Sequence, residues 1–282
     1  VSDREADGGS AAGSVVDISN AAGAGDVILV CEHASKFIPD HLDGLGLSQH
    51  LWESHIAWDP GALPVATVMS AALDAPLVSH RVSRLVFDCN RDPASGDAIL
   101  EKSEVHTIPG NRGLSATERR TRAERYYDPF RNAISSTIDG RMIDGGRPVL
   151  VTVHSFVPVY DGVRRDFELG ILHDADSRLA DALLDRLGAD GDLDVRRNEP
   201  YGPADGVTHT LVEHAIGRGL LNVMVEIRSD LIAVPVDQRT MAERLAAALN
   251  DVFETLGKDP IKAGAATPDG SAAITNDQVE TV

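Results

Sequence analysis

Short, largely apolar runs alternate with helix-length segments along this chain, and that pattern restricts its architecture more than any other feature. Val27-Ile28-Leu29-Val30-Cys31, Pro76 to Val78, Leu85 to Phe87, Val149 to Val153, Phe167 to Leu172 and Leu221 to Ile227 read as strands. They do not alternate apolar with polar residues, so both of their faces are covered, as in parallel sheets packed between helices. Between them, Gly61 to Leu73 carries apolar groups at helical spacing after Pro60, a residue suited to a first turn. Ser115 and Glu118 have capping-box spacing at the start of a long polar helix. Ser177 to Leu187 and Val236 to Leu256 read as two further helices. The expected fold is α/β: three layers, with a mixed, largely parallel sheet and helices on both faces.

A length of 282 residues suits one such domain, and 43% hydrophobic residues fill its core. Residues 1–25 and 259–282 are rich in small and polar residues without periodicity. They are expected to be a disordered lead-in and a flexible tail around a single domain at 26–258. The net charge of -18 argues against sequence-independent nucleic-acid binding and against anionic membranes. No apolar stretch is long enough to span a bilayer and no secretory pattern opens the chain, so a cytoplasmic location is expected. Cys31 and Cys89 read as reduced thiols, not as a disulfide framework.

In open α/β sheets ligands gather at the carboxyl ends of strands. The run Leu85 to Phe87 is followed by Asp88, Asn90 and Arg91. Arg91 offers a planar fork for a carboxylate, with Asn90 as a neutral donor beside it and Arg84 and Arg81 nearby. Against so acidic a chain, a local basic group points to a small anionic ligand.

Two strands deliver a histidine at the same relative place: His33 after Val27–Cys31, and His154 after Val149–Val153. A pair of imidazoles on rigid strand ends suits one divalent ion, zinc by donor type, which needs about three protein ligands and an open position. A histidine after a strand is also a common hydrogen-bonding residue. For the third ligand, Asp59 is preferred over Glu32, which neighbours His33 and points to the opposite face if the strand continues. Asp59 also precedes Pro60 and has the makings of an N-cap. Glu226 lies within the apolar run Val223 to Ile227, a costly place for a carboxylate without a task. It is read as a general base with a raised pKa, or alternatively as an ion-pair partner of Arg228 or of another arginine of the site. Glu104, His106, His209 and the segment Asn198-Glu199-Pro200-Tyr201 fall in loops and are secondary candidates, as are Glu32 and Arg228.

Taken together, Cys31 to Ser35 with Ile38-Pro39, His55 to Ala62, Ser83 to Arg91, His154 to Pro158 and Val225 to Arg228 resemble the N-formylglutamate amidohydrolase family, from about Val27 to Phe253. The resemblance implies a phosphorylase/hydrolase-like α/β fold, similar to zinc carboxypeptidases and aspartoacylase-like deacylases, and a metal-dependent amide hydrolase. An Asn-Arg pair would hold the substrate carboxylate at Asn90 and Arg91. His33 and His154 would bind zinc, and Glu226 would work with the attacking water. In carboxypeptidases a glutamate three residues after the first histidine is a ligand; here that position is Lys36. The expected substrate is a small anionic N-acyl amino acid, N-formylglutamate first, within histidine degradation. A deacylase or carboxypeptidase-like enzyme for another N-acyl amino acid, and a metal-free carboxylate-binding protein, are the alternatives. A cysteine nucleophile is disfavoured, because a thiol in apolar surroundings stays protonated.

Overall fold

The structure, a computed structural model, describes residues 14–143 and 145–257. A seven-stranded sheet organises it: β1 (Val16–Ser19), β2 (Val27–Cys31), β3 (Leu77–His80), β4 (Val149–Phe156), β5 (Leu169–Leu172), β6 (Val195–Arg197) and β7 (Asn222–Arg228). Their spatial order is β1-β3-β2-β4-β7-β5-β6. The central strands β3, β2, β4 and β7 run parallel, whereas β1 joins β3 and β5 joins β7 in antiparallel sense. The parallel centre sends its carboxyl ends to one edge of the sheet, which is where the polar residues collect.

Strand β2 shows why its residues had to be apolar throughout. Val27, Leu29 and Cys31 pack into one core cluster, against helices α1 (Ala62–Ala72), α4 (Arg178–Gly188) and α5 (Pro235–Thr255). Ile28 and Val30 pack into the other, with Phe130, Ile134 and Ile138 of α3 (Asp128–Met142). Both faces of the sheet are therefore dry, and the architecture is the three-layer α/β one expected. Each fully buried Val, Leu or Ile side chain contributes about 1.5–3 kcal/mol relative to exposure. Helix α2 (Ala116–Arg122) begins with the expected capping box: Ser115 Oγ accepts from the Glu118 N–H, and Glu118 Oε2 accepts from the Ser115 N–H.

Two expectations need correction. Residues 14–25 are not a loose lead-in, because β1 pairs with β3 from Val16 opposite His80 to Ser19 opposite Leu77. Four residues on a sheet edge are too short to stand out as a pattern. Residues 1–13 and the expected tail at 259–282 lie outside the described residues. Second, Leu85 to Phe87 is not a strand. It is a buried turn whose main chain is satisfied by side chains: Ser83 Oγ accepts from the Leu85 N–H, Asn111 Nδ2 donates to Leu85 O, and Arg122 Nη1 donates to Val86 O. Three apolar residues do not distinguish the two cases when the partner is distant in sequence.

The start of α1 positions a carboxylate. Its N-cap is Gly61 at φ +84, not Asp59. A side chain at Gly61 would bring its Cβ within 2.6 Å of Ile232 O, so the left-handed turn and the close approach both require glycine. The turn frees the Asp59 carboxylate from capping and aims it at the strand ends.

Candidate metal centre and active site

His33 lies two residues beyond the end of β2, His154 is the sixth residue of β4, and Asp59 closes the loop before α1. The Asp59 N–H donates to His33 O at 3.0 Å, which ties the loop to the strand end. One ligating atom from each of these buried residues lies within 4.8 Å of the other two. Asp59 Oδ2 is 3.3 Å from His33 Nδ1 and 2.9 Å from His154 Nδ1. Its other oxygen, Oδ1, is paired with Arg84 Nη2.

The far side of each ring supports the same arrangement. His33 Nε2 lies 2.7 Å from Asp88 Oδ1, and His154 Nε2 lies 3.1 Å from Glu32 Oε2. The Asp88 carboxylate behind His33 Nε2 holds the proton there and leaves the Nδ1 lone pair free for a cation; Glu32 lies beside His154 Nε2 as a charge, without a hydrogen bond between them. Glu32 thus stands behind His154, not among the converging donors. The asymmetry in charge is also clear. Burial pushes the His33 pKa down to about 4, so this ring is neutral at pH 7. Burial disfavours charge on His154 too, but the adjacent Glu32 carboxylate outweighs it and raises the pKa. Burial would raise the Asp88 carboxyl, yet contact with His33 and the nearby arginines holds it well below the usual range.

Two imidazole nitrogens and one carboxylate oxygen, each ring backed by a second carboxylate, fit a divalent ion with an open coordination position. Its two nitrogen donors set it apart from the all-oxygen sets that hold magnesium or calcium.

Glu226 faces this cluster from the neighbouring strand. In the parallel ladder it is the register partner of His154, so both side chains leave the sheet on the same face. Burial raises its pKa, and His154 and Arg84 oppose that shift only in part. Its Oε2 is buried without a hydrogen-bond partner among the described residues, as suits a carboxyl awaiting a water or substrate. The alternative pairing with Arg228 does not form: Arg228 engages Asp230 at 2.8 Å, Glu168 at 3.6 Å, and the carbonyls of Asp166 and Phe167.

A cavity of about 150 Å³ opens onto these groups. His33, Asp59, His154, Glu226, Arg84, Asn90, Arg91 and Glu104 all line it. The structure therefore brings together most of the residues singled out in the sequence, but it revises several roles. Arg84 is matched by Asp59. Asn90 donates to Val207 O and accepts from the Thr210 N–H, so both ends of its amide are taken up in anchoring the segment opposite. Arg91 donates to Asp205 O and approaches Asp88 at 3.9 Å. Arg81 is exposed and lines a different cleft, with its N–H on Val15 O, because the turn at 83–87 separates it from Arg84. Glu104 pairs with His55 at the cavity mouth. His106 lies outside the lining in the short ribbon opposite Ser103, and His209 is 2.7 Å from Tyr127 Oη.

Sequence reasoning missed Asp88 as the partner of His33, and it held Tyr201 only as a secondary loop candidate, without the aromatic wall it forms with Phe156 and Tyr160. Asp88 was visible as a polar residue between Phe87 and Cys89, but its target depends on the path of a turn. Both cysteines are free and buried, and burial raises both thiols, which removes them as nucleophiles. No helix among the described residues is long and apolar enough to cross a membrane.

No curated protein sequence matches the chain. Among solved structures, a gene product from Agrobacterium tumefaciens is 51% identical, with a TM-score of 0.85, over 87% of this chain and 97% of that one. The N-formylglutamate amidohydrolase from Ralstonia eutropha JMP134 is 18% identical, with a TM-score of 0.58, over 86% of this chain and 98% of that one, a likeness of fold. A family model described as N-formylglutamate amidohydrolase matches residues 25–233, which include every group of the cluster, its backing carboxylates and Glu226. The chain belongs to the N-formylglutamate amidohydrolase family.

Proposed function

We propose that this amidohydrolase cleaves the amide bond of an N-formyl acidic amino acid, N-formylglutamate to formate and glutamate, and that it depends on one zinc ion held by His33, Asp59 and His154. The observation that carries the reading is the convergence of three ligating atoms within 4.8 Å beside a buried, unpartnered carboxyl on the adjacent strand. When bound, such an ion makes the attacking water more acidic and polarises the amide carbonyl.

The chain's own groups do the rest. Glu226 takes a proton from water as the water oxygen attacks the formyl carbon. It then passes that proton to the amide nitrogen as the carbon–nitrogen bond breaks, which balances the hydrolysis. A carboxyl pushed upward by burial is suited to both halves of that transfer. Asp88 fixes the tautomer of His33 from behind, and the Glu32 carboxylate stands beside His154 as a charge. Arg91 orients the substrate through a carboxylate, and the small cavity holds the reacting atoms together. The strongly acidic chain repels polyanions, which leaves a compact anion as its ligand.

The test is metal content measured on the purified protein alongside turnover of N-formyl-, N-acetyl- and N-succinyl-glutamate. About one zinc per chain with preferential release of formate is the expected result. Turnover that survives complete removal of metal would refute the metal dependence, and preference for a longer acyl group would refute the formyl assignment.

A further inference from the structure

The aromatic wall of the cavity conceals a cation that the mechanism does not use. Beyond β4 the chain forms a small hairpin, Val159–Tyr160 against Val163–Arg164, turned by Asp161 and Gly162 at φ 48 and 78. The next residue, Arg165, closes its base: the Arg165 N–H donates to Pro158 O at 2.9 Å. Its guanidinium carbon is 4.6 Å from the Tyr160 ring centre, 4.8 Å from that of Tyr201 and 5.8 Å from that of Phe156. All three rings line the cavity. Nη2 donates to Tyr201 Oη at 3.1 Å, whereas Nη1 is buried with no hydrogen-bond partner among the described residues.

Arg84 and Arg91 are matched by Asp59, Asp88 and the Asp205 carbonyl. Arg165 instead keeps its charge among ring faces, which attract a cation without neutralising it. That charge reaches the cavity through Tyr201. The Tyr201 oxygen accepts from Arg165 and so retains its own proton to donate, and a cationic donor behind a hydroxyl polarises it. Burial and the nearby Glu226 raise the phenol's pKa, so it remains a donor. A dicarboxylic substrate needs a second anion-receiving wall besides Arg91, and this is the arrangement that offers one.

We propose that Tyr201 donates to one of the two carboxylates of a dicarboxylic N-formyl amino acid, with Arg165 as the positioning residue behind it. The proposal rests on the hydrolytic reading above and names what sets its preference for acidic substrates. The test compares kcat and KM for N-formylglutamate and for its two monoamides, one amidated at the side chain and one at the α-carboxyl. Tyr201→Phe and Arg165→Met should each shrink the preference for the diacid over one monoamide by about tenfold or more, through KM. An equal loss on all three compounds, or none, would overturn it. Calorimetric binding of glutamate, glutamine and isoglutamine to the same proteins reads the selectivity without turnover. If formylglutamate is not hydrolysed yet glutamate is preferred and the variants lose that preference, the hydrolytic reading fails and this one stands. Equal binding of all three by the unaltered protein overturns it.

Discussion

Glu226 and Asp88 are both buried carboxylates near a histidine, yet their surroundings give them opposite tasks. Glu226 has no partner for Oε2 among the described residues and is shifted upward, while Asp88 is matched by His33 and shifted downward. Glu226→Gln should therefore leave metal content intact and lower kcat by about 10²–10⁴-fold; metal lost together with activity would place Glu226 among the ligands. Asp88→Asn keeps the shape but removes the charge behind His33 Nε2. It should weaken metal affinity by about 10–100-fold in a chelator competition, and unchanged affinity would separate Asp88 from the metal site. Of these residues, His33 and His154 stood out in the sequence just beyond or at strand ends, Glu226 as a carboxylate inside an apolar run, and Asp59 as a carboxylate ahead of a helix. Asp88 was seen but not understood, and Tyr201 was left among loop residues, since neither ring packing nor turn paths leave a periodic trace. Arg81 and Arg84 show the limit well: three positions apart in the same basic stretch, one enters the cavity and the other faces solvent.

At the level of elements, the long apolar strands and their helices were readable because their periodicity is local. The edge strand β1 and the turn at 83–87 were not, because their hydrogen bonds go to partners chosen by the tertiary fold. Gly170 is a further case. It lies in β5 opposite Glu226, and a Cβ there would come within 1.9 Å of Glu199 O. The missing side chain lets the segment carrying Tyr201 lie against the sheet. Gly170→Ala should push that segment away, destabilise the fold by about 1–3 kcal/mol and raise KM for the diacid. Denaturant unfolding and steady-state kinetics on one preparation would check both effects, and wild-type values in both would show that Gly170 has no spacing role.

Across the whole molecule, buried histidines outside the cluster couple stability to acid. His80 and His214 are almost fully buried, and burial lowers both pKa values to about 4. The unfolded chain takes up these protons near pH 6.5, the folded one only near 4, so the unfolded state binds more protons in that window and stability falls as pH drops through it. Each contributes on the order of 3 kcal/mol across the full window. Urea midpoints should decline from about pH 6.5 to about 4, less steeply in His214→Gln, and a flat profile would contradict the burial argument. The parallel centre of the sheet has one more consequence. Residues 33, 59 and 154 meet because β2 and β4 end at one edge, whereas Glu226 joins them only when β7 takes its place beside β4, so the donors and the carboxyl that faces them come from separate stretches of the polypeptide. Metal uptake should accordingly precede the return of turnover when the denatured chain refolds, and the lag between the two is a chemical signal of β7 docking beside β4.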